Sequence, residues 1–120
     1  MLHRELSEKI IKAFFEVHNG LGPGLLEKNY HNALFLKLTK NGINVKYQYP
    51  LNVYFEGEQV GEYYADLLVE NKVIVEVKAV KGFTNEHRAQ ILNYLRISRC
   101  RLGFLVNFHP SRCMFERLVL

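Results

Sequence analysis

The sequence predicts an α/β chain in an α+β arrangement: a mixed central sheet of about five strands, an antiparallel meander plus a parallel crossover, flanked by helices. Three observations carry this. Two segments with helical hydrophobic spacing open the chain. From residue 43 onward the apolar pattern changes to the alternation of extended strands. A further helical segment then separates the third strand from the fourth, and it is long enough to let those two strands pair in parallel.

Residues 6–18, LSEKIIKAFFEVH, set Ile10, Ile11, Phe14, Phe15 and His18 at helical spacing behind Ser7, a residue type that caps helices. NGLGPG at 19–24 holds three glycines and a proline and breaks the helix. A second helix is expected from about Leu25 to Lys40, with Leu26, Tyr30, Ala33, Leu34 and Leu38 facing inward and Asn41-Gly42 as its stop. INVKYQYPLNVYFEG at 43–57 reads as one long strand or two short ones parted at Pro50, and EGEQ at 56–59 as a hairpin turn. VGEYYADLLV (60–69) and VIVEVKAV (73–80) follow as strands around a tight turn at Glu70-Asn71-Lys72. TNEHRAQILNYLRIS (84–98) is a helix capped by Thr84 or Asn85, with Ile91, Leu92, Leu95 and Ile97 as its apolar face. RLGFLVNF and MFERLVL, parted by His109-Pro110-Ser111, complete the sheet.

At 120 residues, 48% hydrophobic and 23% charged, the chain is expected to form a single domain over 1–120 with its own core. No apolar run approaches the roughly 20 residues of a membrane span. The opening MLHRELSEKI is charged where a signal peptide would be apolar, so the expected setting is the cytoplasm, with no membrane partner. Cys100 and Cys113 fall in no metal-binding or redox spacing and read as reduced thiols. The net charge of +4 suits a polyanionic partner but does not identify one.

The strand at 73–80 carries two charges within an apolar run. Alternation puts Ile74, Glu76 and Lys78 on one face and Val73, Val75, Val77 and Ala79 on the other. If Glu70-Asn71-Lys72 is a three-residue loop, with Asn71 left-handed, Val69 pairs with Val73 and Asp66 comes opposite Glu76, the two carboxylates roughly 5 Å apart beside a lysine. A two-residue loop would turn Asp66 to the other face. Opposed carboxylates repel and are costly to bury; a divalent cation with hard oxygen ligands, Mg²⁺ or Mn²⁺, is the usual remedy. The plainer alternatives are a buried triad in which Lys78 bridges both carboxylates, or a strand whose charged face is wet.

Asp66, followed after nine residues by Glu76-Val77-Lys78, resembles the active-site signature of the PD-(D/E)XK nuclease superfamily, with Ala65 standing where that signature has proline. Gly24-x-x-Glu27-x-x-Tyr30, within GLGPGLLEKNY, resembles the motif that names the GxxExxY family of small PD-(D/E)XK-like proteins. The blocks VHNGLGPGLLEKNYHNAL, GEYYADLLVENKVIVEVKAV, HRAQILNYLR and LGFLVNF are similar to that family in the expected order, so the resemblance extends over nearly the whole chain.

The resemblance implies a restriction-endonuclease-like core and metal-dependent hydrolysis of phosphodiester bonds in nucleic acid, DNA ahead of RNA. It implies that Asp66, Glu76 and Glu27, with the carbonyl of Val77, hold one or two Mg²⁺ or Mn²⁺ ions. Lys78 would orient the attacking water or stabilise the transition state. For Glu27 the alternative is a first-turn glutamate favoured by the helix dipole. Gln90-x-x-x-Tyr94 resembles the site-orienting motif that follows the same strand in RecB-like nucleases. His87, Gln90 and Tyr94 form one polar stripe on their helix, for which a structural hydrogen bond or plain solvent exposure is the alternative. Tyr30 reads as a core tyrosine with a hydrogen-bonded hydroxyl or as a site-orienting group. Asn107 and His109 read as turn formers. Lys81, Arg96, Arg99, Arg101 and Arg112 gather in the C-terminal half as phosphate contacts or a solvated basic face. A homodimer is compatible with this architecture. The rival reading is a non-catalytic nucleic-acid- or protein-binding module of the same fold.

Overall fold

A computed structural model describes residues 1–120. The elements are α1 (Arg4–Leu21), α2 (Glu27–Lys40), β1 (Val45–Phe55), β2 (Glu58–Val69), β3 (Val73–Lys78), α3 (Asn85–Ser98), β4 (Leu102–Asn107) and β5 (Met114–Val119). The five strands lie in chain order in one sheet. β1–β2, β2–β3 and β4–β5 are antiparallel, and β3–β4 is parallel across the α3 crossover. This is the mixed, helix-flanked sheet that the change in periodicity predicts.

Several boundaries differ from expectation, each for a local reason. Ser7 does not cap α1: the helix starts at Arg4, His3 is the left-handed cap (φ 50°), and the Ser7 N–H donates to the His3 carbonyl at 2.8 Å. Ser7 itself is buried. Leu26 is the N-cap of α2 and 78% exposed, so it is not part of the inner face. Phe15 is also exposed, at the border of the α1 core face, its ring edge-on to Phe115 with centroids 6.1 Å apart. Pro50 does not split β1, because β1 is an edge strand, where a sheet tolerates a residue without an N–H. The β1–β2 turn is Glu56-Gly57, both left-handed (φ 50° and 82°), as a two-residue hairpin requires.

Two apolar clusters sit on opposite faces of the sheet. α1 and α2 bury Phe14, Tyr30 and Leu34 against Leu67, Val75 and Phe104. α3 buries Ile91 and Leu95 against Ala65, Leu68, Ile74 and Leu105. β4 is buried at all six positions because it is covered on both sides. α3 approaches closely over Gly103, where a Cβ would lie 2.9 Å from Ile91 Cδ1.

The β1–β2 hairpin does not keep one face throughout. Leu67 packs under α1 and α2 whereas Ala65 packs under α3, although residues two apart share a face in a regular strand. The opposite strand switches too: Tyr47 stacks on His31 of α2, whereas Tyr49 joins the α3 cluster. The switch falls at Gln48 and Asp66. Their neighbours pair as Tyr47↔Leu67 and Tyr49↔Ala65, but Gln48 is left-handed (φ 52°) and makes no ladder pair with Asp66. On the other edge of β2 the ladder to β3 ends at Leu67↔Val75. Asp66 therefore stands where β2 parts from β3 and skips one pair with β1, in a fork between the sheet and the outer half of the hairpin.

Candidate active site

The turn after β2 decides whether the two carboxylates meet. Glu70 and Asn71 are both left-handed (φ 52° and 56°), the Lys72 N–H donates to the Val69 carbonyl at 2.9 Å, and Val69 pairs with Val73. This is the three-residue loop, and its register brings Asp66 beside Glu76. Each carboxylate replaces a missing rung of the ladder. The Asp66 N–H donates to Glu76 Oε2 at 2.6 Å, and the Val77 N–H donates to Asp66 Oδ2 at 2.8 Å. N–H and C=O of one strand residue point to the same side, so the Val77 carbonyl also faces the fork that β2 vacates.

The electrostatics follow from burial. Glu76 is 3% exposed, and desolvation, reinforced by Asp66 and by Glu27, pushes its carboxyl up to about 8. The Asp66 N–H and Lys78 act against that rise without cancelling it. The Asp66 carboxyl is also raised, again chiefly by desolvation, and is partly held down by the Val77 N–H, His31 and Lys78. Lys78 makes no ion pair with either carboxylate; its Nζ donates to Gln90 Oε1 of α3 at 3.3 Å. The buried triad with a bridging lysine is therefore not what the chain builds. Tyr94, one turn beyond Gln90, is 6% exposed, and its phenol is raised by burial and by the nearby Glu76 and Asp66. Gln90 and Tyr94 thus flank the carboxylates from the α3 side.

From the α2 side come Glu27 and His31. Together with Lys28, Tyr47, Gln48 and Asp66 they line an open hollow of about 350 Å³. Glu27 is exposed at the first position of α2, close enough to Glu76 to raise its pKa. It does not close a ligand cage: no three His, Cys, Asp and Glu side chains are grouped to hold an ion. Asp66, Glu76 and the Val77 carbonyl are hard oxygen donors of the kind that Mg²⁺ and Mn²⁺ take, with Glu27 across the hollow, so the donor chemistry fits such an ion.

His31 and Gln48 escaped the sequence reading. His31 is buried, stacks on Tyr47 with ring centroids 4.2 Å apart, and its Nε2 donates to the Asp66 carbonyl at 2.9 Å. It thereby satisfies the group that Gln48 leaves unpaired. Its four-residue spacing from Glu27, which puts both on one helix face, was the available signal.

Tyr30 lies apart from the carboxylates. Its hydroxyl donates to the Gly22 carbonyl at 2.6 Å and accepts from the Leu25 N–H at 3.1 Å, and its ring stacks on Phe108. It fixes the glycine-rich loop that launches Glu27. His87, on the same helix as Gln90 and Tyr94, is engaged at the helix start. It completes a capping box, its Nδ1 accepting from the Thr84 N–H at 3.1 Å while its own N–H donates to Thr84 Oγ1 at 3.2 Å.

Asn107 is buried, and its amide pairs with Val80 as a further strand residue would: Nδ2 donates to the Val80 carbonyl at 2.7 Å, and Oδ1 accepts from the Val80 N–H at 3.1 Å. β3 itself ends at Lys78, short of the predicted Val80. The basic residues do not form one cluster. Lys81 follows the end of β3 at the level of Asn107, whereas Arg99 and Arg101 precede Leu102 at the opposite end of the sheet.

Residues 4–118 match the profile of the PD-(D/E)XK nuclease superfamily, and the chain belongs to it. The sheet order and the helical crossover are those of that fold. A crystal structure described as that of SSO0001 superposes with a TM-score of 0.62 at 20% identity, over 77% of this chain. The matched part spans 48% of that protein's length, and at this identity the likeness speaks for the fold alone. A search of curated proteins found no match. No helix is long and apolar enough to cross a membrane.

Proposed function

We propose that the protein is a metal-dependent nuclease that hydrolyses phosphodiester bonds in nucleic acid, DNA ahead of RNA, and that it falls in the GxxExxY branch of its superfamily. The observation that carries this reading is the Asp66–Glu76 pair. Two carboxylates are held by backbone N–H groups in a fork between strands, both with raised pKa, and the neighbouring lysine pairs with neither. A fold keeps such a pair at a cost in stability, and a hard cation relieves that cost.

Asp66, Glu76 and the Val77 carbonyl would hold Mg²⁺ or Mn²⁺, with Glu27 as the additional carboxylate. The ion, when bound, neutralises charge on the scissile phosphate and lowers the pKa of a bound water. Lys78, held at its Nζ by Gln90, is placed to donate to a phosphate oxygen. Tyr94 narrows the site from the α3 side and excludes solvent around the carboxylates. His31 and Tyr30 act at one remove, the first through the Asp66 backbone and the second through the loop before Glu27. His87 acts only by capping α3. The setting we assign is cytoplasmic, and cutting both strands of a duplex would call for a second copy.

The rival, a binding module that has kept the fold, draws support from Glu27, which stands exposed and outside any three-ligand group. Incubating the protein with single-stranded, duplex and flapped DNA and with RNA, in Mg²⁺ or Mn²⁺, separates the two. Cleavage that needs the metal and disappears in Asp66→Asn establishes the nuclease. Binding of a substrate without cleavage, and without calorimetric uptake of Mn²⁺, establishes the module.

A further inference from the structure

The largest hollow of the molecule, about 580 Å³, lies beside the carboxylates rather than over them. It runs between α3 and the outer half of the β1–β2 hairpin, lined by Val53 and Tyr63 on one side and by Gln90, Asn93, Tyr94 and Arg96 on the other. Gln90 and Tyr94 belong to both places: Gln90 receives the Lys78 ammonium, and Tyr94 lies near Glu76 and Asp66. The groove is therefore a continuation of the candidate active site. It exists because the hairpin changes face at Gln48 and Asp66, which turns Tyr63 toward α3.

We propose that this groove binds an unpaired strand of the nucleic-acid substrate and leads it to the carboxylates. The proposal rests on the nuclease reading and adds its substrate class. Tyr63 and Tyr94 stand with ring centroids 5.9 Å apart and planes tilted by 48°, so they present a corner of aromatic surface rather than a closed stack. Tyr63 is half exposed. A base laid on the Tyr63 ring gains stacking that depends little on its identity, as on other single-strand platforms. The Arg96 guanidinium, tied to Asn93 Oδ1, supplies positive charge along the same wall. Glu86 at one end of the groove is the opposing charge, so a phosphate is favoured at the Arg96 end. The lining residues of α3 run from Glu86 to Ile97, about 16 Å along the helix axis, enough for a short run of nucleotides. Amide groups of Gln90 and Asn93 offer donors and acceptors to base edges, which an apolar protein segment would leave unmatched.

The test compares a labelled oligothymidylate with a labelled blunt duplex by fluorescence anisotropy in Ca²⁺, using wild type, Tyr63→Ala and Tyr63→Phe. The expected result is a tenfold to hundredfold weaker affinity of Tyr63→Ala for the oligothymidylate, near-wild-type affinity of Tyr63→Phe, and an unchanged affinity for the duplex. Ala89→Tyr, an exposed position that fills the groove from the helix, should reproduce the loss. Equal losses on both nucleic acids, or no loss on the oligothymidylate, overturn the proposal and leave the groove to a protein partner. Metal-dependent cleavage that Asp66→Asn abolishes would keep the nuclease reading alive in that case. A wild type that neither binds nor cuts any nucleic acid overturns both.

Discussion

Burial of Glu76 ties the stability of the protein to pH. Its carboxyl is raised from 4.5 to about 8 in the fold, so between those values the native state holds a proton that the unfolded chain has lost. The stabilising contribution is full below pH 4.5, falls through that window and is gone above pH 8. In metal-free buffer, urea denaturation at a series of pH values should therefore show wild type losing on the order of a few kcal/mol from pH 5 to pH 8. Glu76→Gln should flatten that loss, because an amide oxygen still accepts the Asp66 N–H. A variant that is less stable than wild type at pH 8 without metal would instead mark Glu76 as a structural group. His31 gives a second expectation. Replacing it by Ala leaves the Asp66 carbonyl without its donor in a partly buried place, costing about 1–3 kcal/mol in chemical denaturation. The same change should weaken Mn²⁺ binding measured by calorimetry, since Asp66 loses its backbone anchor.

Among the elements, α3 is placed by its closeness to β4. Gly103 leaves no room for a side chain, with Ile91 Cδ1 at 2.9 Å and Leu95 Cδ2 at 3.3 Å from an added Cβ. Gly103→Val should therefore cost about 1–3 kcal/mol, read as a lowered Tm, and Ile91→Ala in the same chain should recover part of that loss. A shift of α3 would also carry Gln90 and Tyr94 away from Lys78 and the carboxylates. At this scale much was readable in advance. Thr84 as a cap and the loop at Glu70-Asn71-Lys72 are set by local chemistry and fall where the residues ask for it. The break at NGLGPG comes three residues late, α1 running on through Asn19-Gly20-Leu21 to a Gly22 cap with positive φ (72°). The start of α1 was not readable, because a left-handed histidine at the cap carries no side-chain signal.

For the molecule as a whole, the sheet changes character along its width. β3 and β4 are short and enclosed, while β1 and β2, at 11 and 12 residues, run on past them as an arm. Tyr54, Phe55 and Val60 are exposed at its tip. The arm and α3 enclose the groove, and the fork at its root holds the carboxylates. Because a cation would bind the folded chain and not the unfolded one, Mn²⁺ at about a hundredfold above its Kd should add roughly 2.7 kcal/mol of stability. A rise in Tm with Mn²⁺ that Asp66→Asn removes would locate the ion in the fork. A rise that persists in Asp66→Asn would place it elsewhere.

The sequence by itself determined the order of elements, the parallel crossover and the register that joins Asp66 to Glu76, since each depends on residue spacing within a short segment. Membership of the PD-(D/E)XK superfamily was legible for the same reason: the string from Asp66 to Glu76-Val77-Lys78, which resembles its signature, is local. Tertiary structure alone decided that Lys78 turns to Gln90 rather than to the carboxylates, that Glu27 stands at the rim, and that His31 anchors Asp66. It also decided that the hairpin changes face at Gln48 and opens a groove against α3. These outcomes depend on how a helix and two strands meet across long stretches of chain, a balance of packing and unpaired backbone groups that no single segment encodes.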